Sequence, residues 1–117
     1  MNIINNTVAV AAGATVNVLA GDIFQLLRRP SRVRVGVVKQ IAGAADLISA
    51  RFTIGDAIIA EQAQAKTEIN AGGGVDVNTD LNIVGVGNTN DSLGLAITNP
   101  AGAARTVTFY VLIEPIA

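Results

Sequence analysis

Five of the eight basic residues, Arg28, Arg29, Arg32, Arg34 and Lys39, fall within twelve consecutive positions of a chain whose formal net charge is −1. Such a cluster admits two chemistries. Arginine can neutralise phosphates, each contact adding salt-dependent affinity for nucleic acid, or it can grip carboxylates of an acidic protein surface through its planar fork. Nucleic-acid modules are usually basic overall and interleave aromatics that stack on bases. Here the balance is slightly acidic, with three phenylalanines, one tyrosine and no tryptophan. An acidic protein surface is therefore the expected target, and nucleic acid is not.

Turnover chemistry has little to work with. The chain contains no histidine and no cysteine, which removes the usual neutral-pH base, the commonest metal ligand, disulfides and thiol chemistry. Ser31, Ser49 and Ser92 have no base at motif spacing, and the carboxylates are scattered singly. Asp76, Asn78 and Asp80 imitate the start of a calcium loop, but Leu81 stands where the glycine is needed and Gly87 where the bidentate glutamate belongs. The run Gly72 to Gly74 lacks the following Gly-Lys-Ser or Gly-Lys-Thr of a phosphate loop, so it reads as a flexible connection. No catalytic, cofactor-binding or metal-ligating residue is assigned, and an enzyme is not expected.

The elements that must carry the arginines follow from periodicity. Apolar residues recur with period two, rich in Val, Ile and Thr, and Gly, Asn, Asp and Pro gather between the runs. The pattern predicts strands over Thr7–Ala11, Ala14–Leu19, Arg32–Ile41, Leu47–Ile54, Ala57–Glu61, Leu81–Val86, Leu93–Thr98 and Arg105–Ile113. Reversals fall at Gly21, Ala42-Gly43, Gly55-Asp56, Gly72 to Gly74, Gly87 to Asp91 and Asn99 to Gly102, where residues tolerate positive or fixed φ. Residues 60–68 read as loop or strand. The expected fold is all-β: one antiparallel β-sandwich domain over residues 7–117, of eight-stranded jelly-roll type, preceded by an N-terminal arm over residues 1–6.

Within that scheme Arg32 and Arg34 alternate with Val33, Val35 and Val37, as on a strand with one wet face and one core face. Arg28 and Arg29 precede Pro30, which cannot donate to a ladder, so they belong to the approach into that strand. The segment Arg105–Ile113 is apolar on both faces and is expected to be central or covered on both sides. Half of the residues are hydrophobic and only 15% are charged, against roughly 25% in ordinary globular domains. So thin a polar cover implies a protein partner over part of the surface. Charges interrupt the apolar tracts well before membrane-spanning length, and Met1 to Asn6 carries no basic residue ahead of the apolar stretch that follows, so neither a membrane span nor a cleaved leader is expected.

Three stretches, "AGDIFQLLRRPSRVRVGVV", "RFTIGDAIIAEQ" and "LGLAITNPAGAARTVTFYVLIEPI", together resemble small virion proteins of tailed bacteriophages. The resemblance implies a β-sandwich or jelly-roll protein that forms a homo-oligomer, a trimer in that class. It further implies attachment to the major capsid protein, decorating or cementing the capsid surface by binding alone. A shell-forming coat protein and a tail or fibre protein that binds a host receptor are the alternatives. Candidate partner-binding residues are Asn2, Ile3 and Ile4 at the N-terminus, Phe24 and Leu27, with Ile23 and Leu26 beside them, and Arg28, Arg29, Arg32 and Arg34.

Overall fold

The computed structural model describes residues 2–40, 47–67, 74–77 and 79–116. Among the described residues nine strands form, in the order β1 (Asn2–Val10), β2 (Thr15–Asn17), β3 (Ser31–Lys39), β4 (Ser49–Ile54), β5 (Ala57–Gln64), β6 (Lys66–Thr67), β7 (Ile83–Gly87), β8 (Leu93–Thr98) and β9 (Arg105–Pro115). No helix occurs among the described residues. One sheet has the order β1-β9-β3-β6, with β7 also paired to β3, and the other has the order β2-β8-β4-β5.

Period-two patterning explains the layers. On β9, Val107, Phe109, Val111 and Ile113 are buried, and on β3 Val33, Val35 and Val37 are buried at the positions registered against Ile113, Val111 and Phe109. The second sheet turns Ala50, Phe52 and Ile54 of β4 and Leu93, Leu95 and Ile97 of β8 inward. All belong to one buried cluster. The sheets meet closely: a Cβ built on Gly85 of β7 would lie 2.9 Å from Ile54 Cδ1 of β4. Deleting a fully buried ring such as Phe52 from a core of this kind typically costs about 3–5 kcal/mol.

Several expectations are met. Strand Leu93–Thr98 lies where predicted, β9 sits between β1 and β3, and the turns at Gly21, Gly55 and Asn90 have φ of 80°, 57° and 74°. The outer face of β9 is covered at one end, as anticipated, and so is that of β3, which the alternation had left wet. Asp80 O would lie 2.6 Å from a Cβ on Gly36, and Gly74 packs near Thr108 Cγ2.

Other expectations are corrected. Residues 2–6 are not a free arm: they begin β1, registered against Phe109 to Ile113 of β9. Polar Asn5 and Asn6 obscure the alternation there, but the ladder to β9 takes up the backbone groups of alternate residues regardless of side chain. Pairing is not purely antiparallel, because β6 runs parallel to β3 at Val38 and Lys39, and nine strands form among the described residues. The predicted Ala14–Leu19 strand is only Thr15–Asn17, since Asn17 Oδ1 accepts from the Leu19 and Leu95 amides and turns the chain. Strand β5 runs on to Gln64 beyond the predicted Glu61, and β9 on to Pro115 beyond Ile113. Ile41, the Ala42-Gly43 turn, Glu68, Gly72, Gly73 and Asn78 lie outside the described residues.

One buried polar side chain ties the turns together. Asn99 is fully buried; its Nδ2 donates to Val10 O and Ala103 O, both at 3.0 Å, and its Oδ1 accepts from Ala101 N at 3.0 Å. The β1–β2 and β8–β9 connections are thereby locked to each other. Asn99→Ala should lower stability by about 1–3 kcal/mol, because the two carbonyls lose their donor. Gly36→Ala should cost a comparable amount by pushing on the Asp80 backbone, whereas Gly102→Ala, with open space around it, should be near neutral. Urea midpoints at constant slope measure all three.

Candidate partner-binding surface

The basic segment lies at one end of the two-sheet body, where β1 and β3 begin and β7 and β9 end. Its approach is a loop over residues 18–30. Asp22 Oδ1 accepts from Phe24 N at 2.9 Å, and Gln25 Oε1 accepts from Gly21 N, so short side-chain bonds shape the turn. The loop is clamped from outside by the turn before β8: Leu27 N donates to Asp91 O at 2.9 Å, Asn90 N to Leu27 O at 2.7 Å and Leu93 N to Gln25 O at 2.8 Å. Beyond Pro30, Ile116 N donates to Pro30 O and Ser31 Oγ to Arg29 O. Backbone bonds on both sides thus hold Arg28 and Arg29 on a fixed ledge.

Along the ledge runs a groove of about 380 Å³ lined by Asn2, Phe24, Leu27, Arg28, Arg29 and Pro115, among others. A second groove of similar volume lies on the other side of Leu26, between Ile23, Arg28 and Asn90. Apolar side chains stand exposed around them. Ile23 is 76% exposed, Leu26 56%, Ile116 57%, and Val86 60% on the strand paired to Arg32. Arg28 and Arg29 are exposed and have no ion pair among the described residues. Two free guanidinium groups therefore border an uncovered apolar rim.

The remaining candidates separate. Ile4 and Leu27 are 7% and 3% exposed and belong to the core, so they cannot anchor a partner. Phe24 is half-buried and packs on the same core while its edge lines the groove. Ile3 is exposed and Asn2 half-buried on β1. Arg32 and Arg34 do face outward, as the alternation requires, but they share one carboxylate: Glu114 Oε1 lies 3.2 Å from Arg32 Nη2 and 3.0 Å from Arg34 Nε. Lys39 is buried and falls on the inward parity of β3, so it leaves the surface cluster.

Glu114 was missed by sequence reasoning because its role depends on the pairing of β3 with β9, which sets Arg32 opposite Glu114. Outward parity beyond Ile113 was the available signal. Ile116 was missed for a related reason, since only its bond to Pro30 brings it to the ledge. The segment that imitates a calcium loop uses its carboxylate internally: Asp80 Oδ2 accepts from Asp76 N at 2.8 Å, and Asp80 Oδ1 lies 3.5 Å from Lys66 Nζ. Among the described residues, no three acidic side chains gather where a metal ion could be held.

No known protein family, curated protein or solved structure matches this chain. The surface itself must carry the functional argument.

The Arg32–Glu114–Arg34 cluster is a surface arrangement, with side-chain exposures of 49%, 22% and 34%. Exposed ion pairs contribute between nothing and about 1 kcal/mol. Glu114→Gln should therefore shift the urea midpoint by no more than about 1 kcal/mol, and a loss above about 3 kcal/mol would instead mark a desolvated network.

Proposed function

We propose that this chain is a structural virion protein that decorates or cements a capsid, attaching to an acidic surface of the major capsid protein. The observation that carries this reading is the pairing of exposed Ile23, Leu26 and Ile116 with the unpaired Arg28 and Arg29 on one ledge. Buried apolar anchors supply most of an interface's energy, while a bordering charge selects partner and orientation. Mechanism here is binding, without turnover. Repetition over a lattice multiplies a modest contact through effective concentration, so no single ledge needs high affinity.

Strand order supports the same class. The pairings β1-β9-β3-β7 and β2-β8-β4-β5 are compatible with the two four-stranded sheets of a jelly roll, with β6 a short addition after β5 in the other sheet. Jelly rolls serve viral capsid domains, lectins and cupins alike, so this feature supports the architecture and narrows the function only modestly. It also favours a second reading, a coat protein that builds the shell itself. Self-association belongs to both readings.

Gradient sedimentation of particles of the encoding virus tests the proposal. The chain should travel with full particles at a fixed ratio to the major capsid protein. Added back to stripped particles, the Arg28→Ser/Arg29→Ser chain should bind at least about tenfold more weakly, a loss of about 1.4 kcal/mol. Absence of the wild-type chain from particles, or equal binding by the variant, would overturn it. Closed shells formed by the purified chain alone would select the coat reading.

A further inference from the structure

Two sheets have four edges, and three of them are blunted. Strand β2 is three residues long. Strand β5 pairs irregularly with β4, carries Glu61, and packs over β7, since a Cβ on Gly85 would lie 3.1 Å from Ile59 Cγ1. Its chain then crosses to the first sheet as β6, beside Val38 and Lys39 only, and the rest of that edge is the five-residue β7, against which β5 packs. The fourth edge is β1: nine residues in unbroken register with β9, without a charge, a proline or a bulge. Natural edge strands normally carry one of those devices, because bare backbone groups recruit another strand.

The geometry says which groups are bare. Thr7 N–H donates to Asn6 Oδ1 at 2.8 Å, so it points away from β9. In an antiparallel ladder a residue directs its N–H and C=O to the same side, and neighbours alternate. Ile3, Asn5, Thr7 and Ala9 therefore face outward in the sheet plane. Thr106, opposite Ala9, is consistent with this, since its carbonyl is taken by Gln40 N on the β3 side.

We propose that a second copy of the chain fills this edge, the two β1 strands pairing antiparallel about a two-fold axis at Asn6. That register sets Asn5 opposite Thr7 of the second copy, Ile4 opposite Val8 and Ile3 opposite Ala9. Over residues 3–9 polar meets polar and apolar meets apolar on both faces, the terminal pair Asn2 and Val10 being the exception, and each outward-facing residue meets an outward-facing one. Centring on Asn5 would instead set Ile4 against Asn6 and Ile3 against Thr7; centring on Thr7 would set Asn6 against Val8. The uncharged strand brings no like charges together across the axis. Four pairs exchange about eight backbone hydrogen bonds, and Thr7 N–H trades its Asn6 cap for a carbonyl of the second copy. An isolated strand pair covers less than the roughly 800 Å² per partner of a standard interface, so association depends on concentration. This edge is distinct from the Arg28 and Arg29 ledge, so the two proposals fail separately.

Sedimentation equilibrium of the purified full chain between about 10 μM and about 1 mM tests it. The wild type should show a monomer–dimer equilibrium. Asn5→Lys with Thr7→Lys places like charges opposite at both central pairs, as does Asn5→Glu with Thr7→Glu; both positions are exposed. Each doubly substituted chain alone should stay monomeric, and an equimolar mixture of the two should recover the dimer. Amide exchange at Asn5 and Thr7 in the wild type, which needs no variant, should slow at least about tenfold as concentration rises. A wild type that remains monomeric, a trimer, a dimer that survives the lysine substitutions, or unchanged exchange at those amides would overturn the proposal.

Discussion

Everything in this molecule hangs on the inward column of β9. Val107, Phe109, Val111 and Ile113 are buried in the cluster shared with Phe52, Leu95 and Ile97 of the facing sheet, while the same strand is hydrogen-bonded to β1 on one side and β3 on the other. Burial of apolar area is the dominant favourable term in a fold of this size. It requires both neighbours at full length, which is why the N-terminal residues are drawn into a strand. It also sets the register that delivers Arg32 to Glu114.

The consequences reach the surface in a definite order. With β9 fixed, β3 starts at Ser31 and the basic approach through Arg28 to Pro30 has one place to lie, between Ile116 and the 90–93 turn. The second sheet presents Thr15, Asn17, Thr98, Ser49, Arg51 and Gln64 outward, an ordinary wet face. Apolar side chains are exposed near the ledge, at Ile23, Leu26, Val86 and Ile116, and also away from it, at Ile3, Leu47, Ile58, Val77 and Val84. What distinguishes the ledge is that its apolar side chains adjoin two unpaired guanidinium groups, a mark of an interaction surface that a high average apolar content is not.

Much of the fold was legible in the sequence, because period-two alternation and turn residues are local signals. Leu93–Thr98, the Gly55 and Asn90 turns and the outward parity of Arg32 and Arg34 all follow from neighbours in the chain. What was illegible depends on distant pairing. Asn2 to Asn6 look like a polar tail until Phe109 to Ile113 stand beside them. Leu27 looks like part of an exposed apolar run until Asp91 and Asn90 clamp its backbone and turn its side chain into the core. Two of the four arginines in the basic segment proved to be partnered for the same reason, since nothing near Arg34 in sequence announces Glu114.

The central claim is that the exposed apolar and basic ledge is covered by another protein when the chain is at work. Hydrogen exchange on the chain bound to its proposed capsid partner, against the free chain, reads this directly. The account predicts strong protection confined to residues 23–29 and 115–116, with the outer face of β4 and β8 unchanged. Protection of that outer face, with the ledge exchanging as fast as in the free chain, would contradict it.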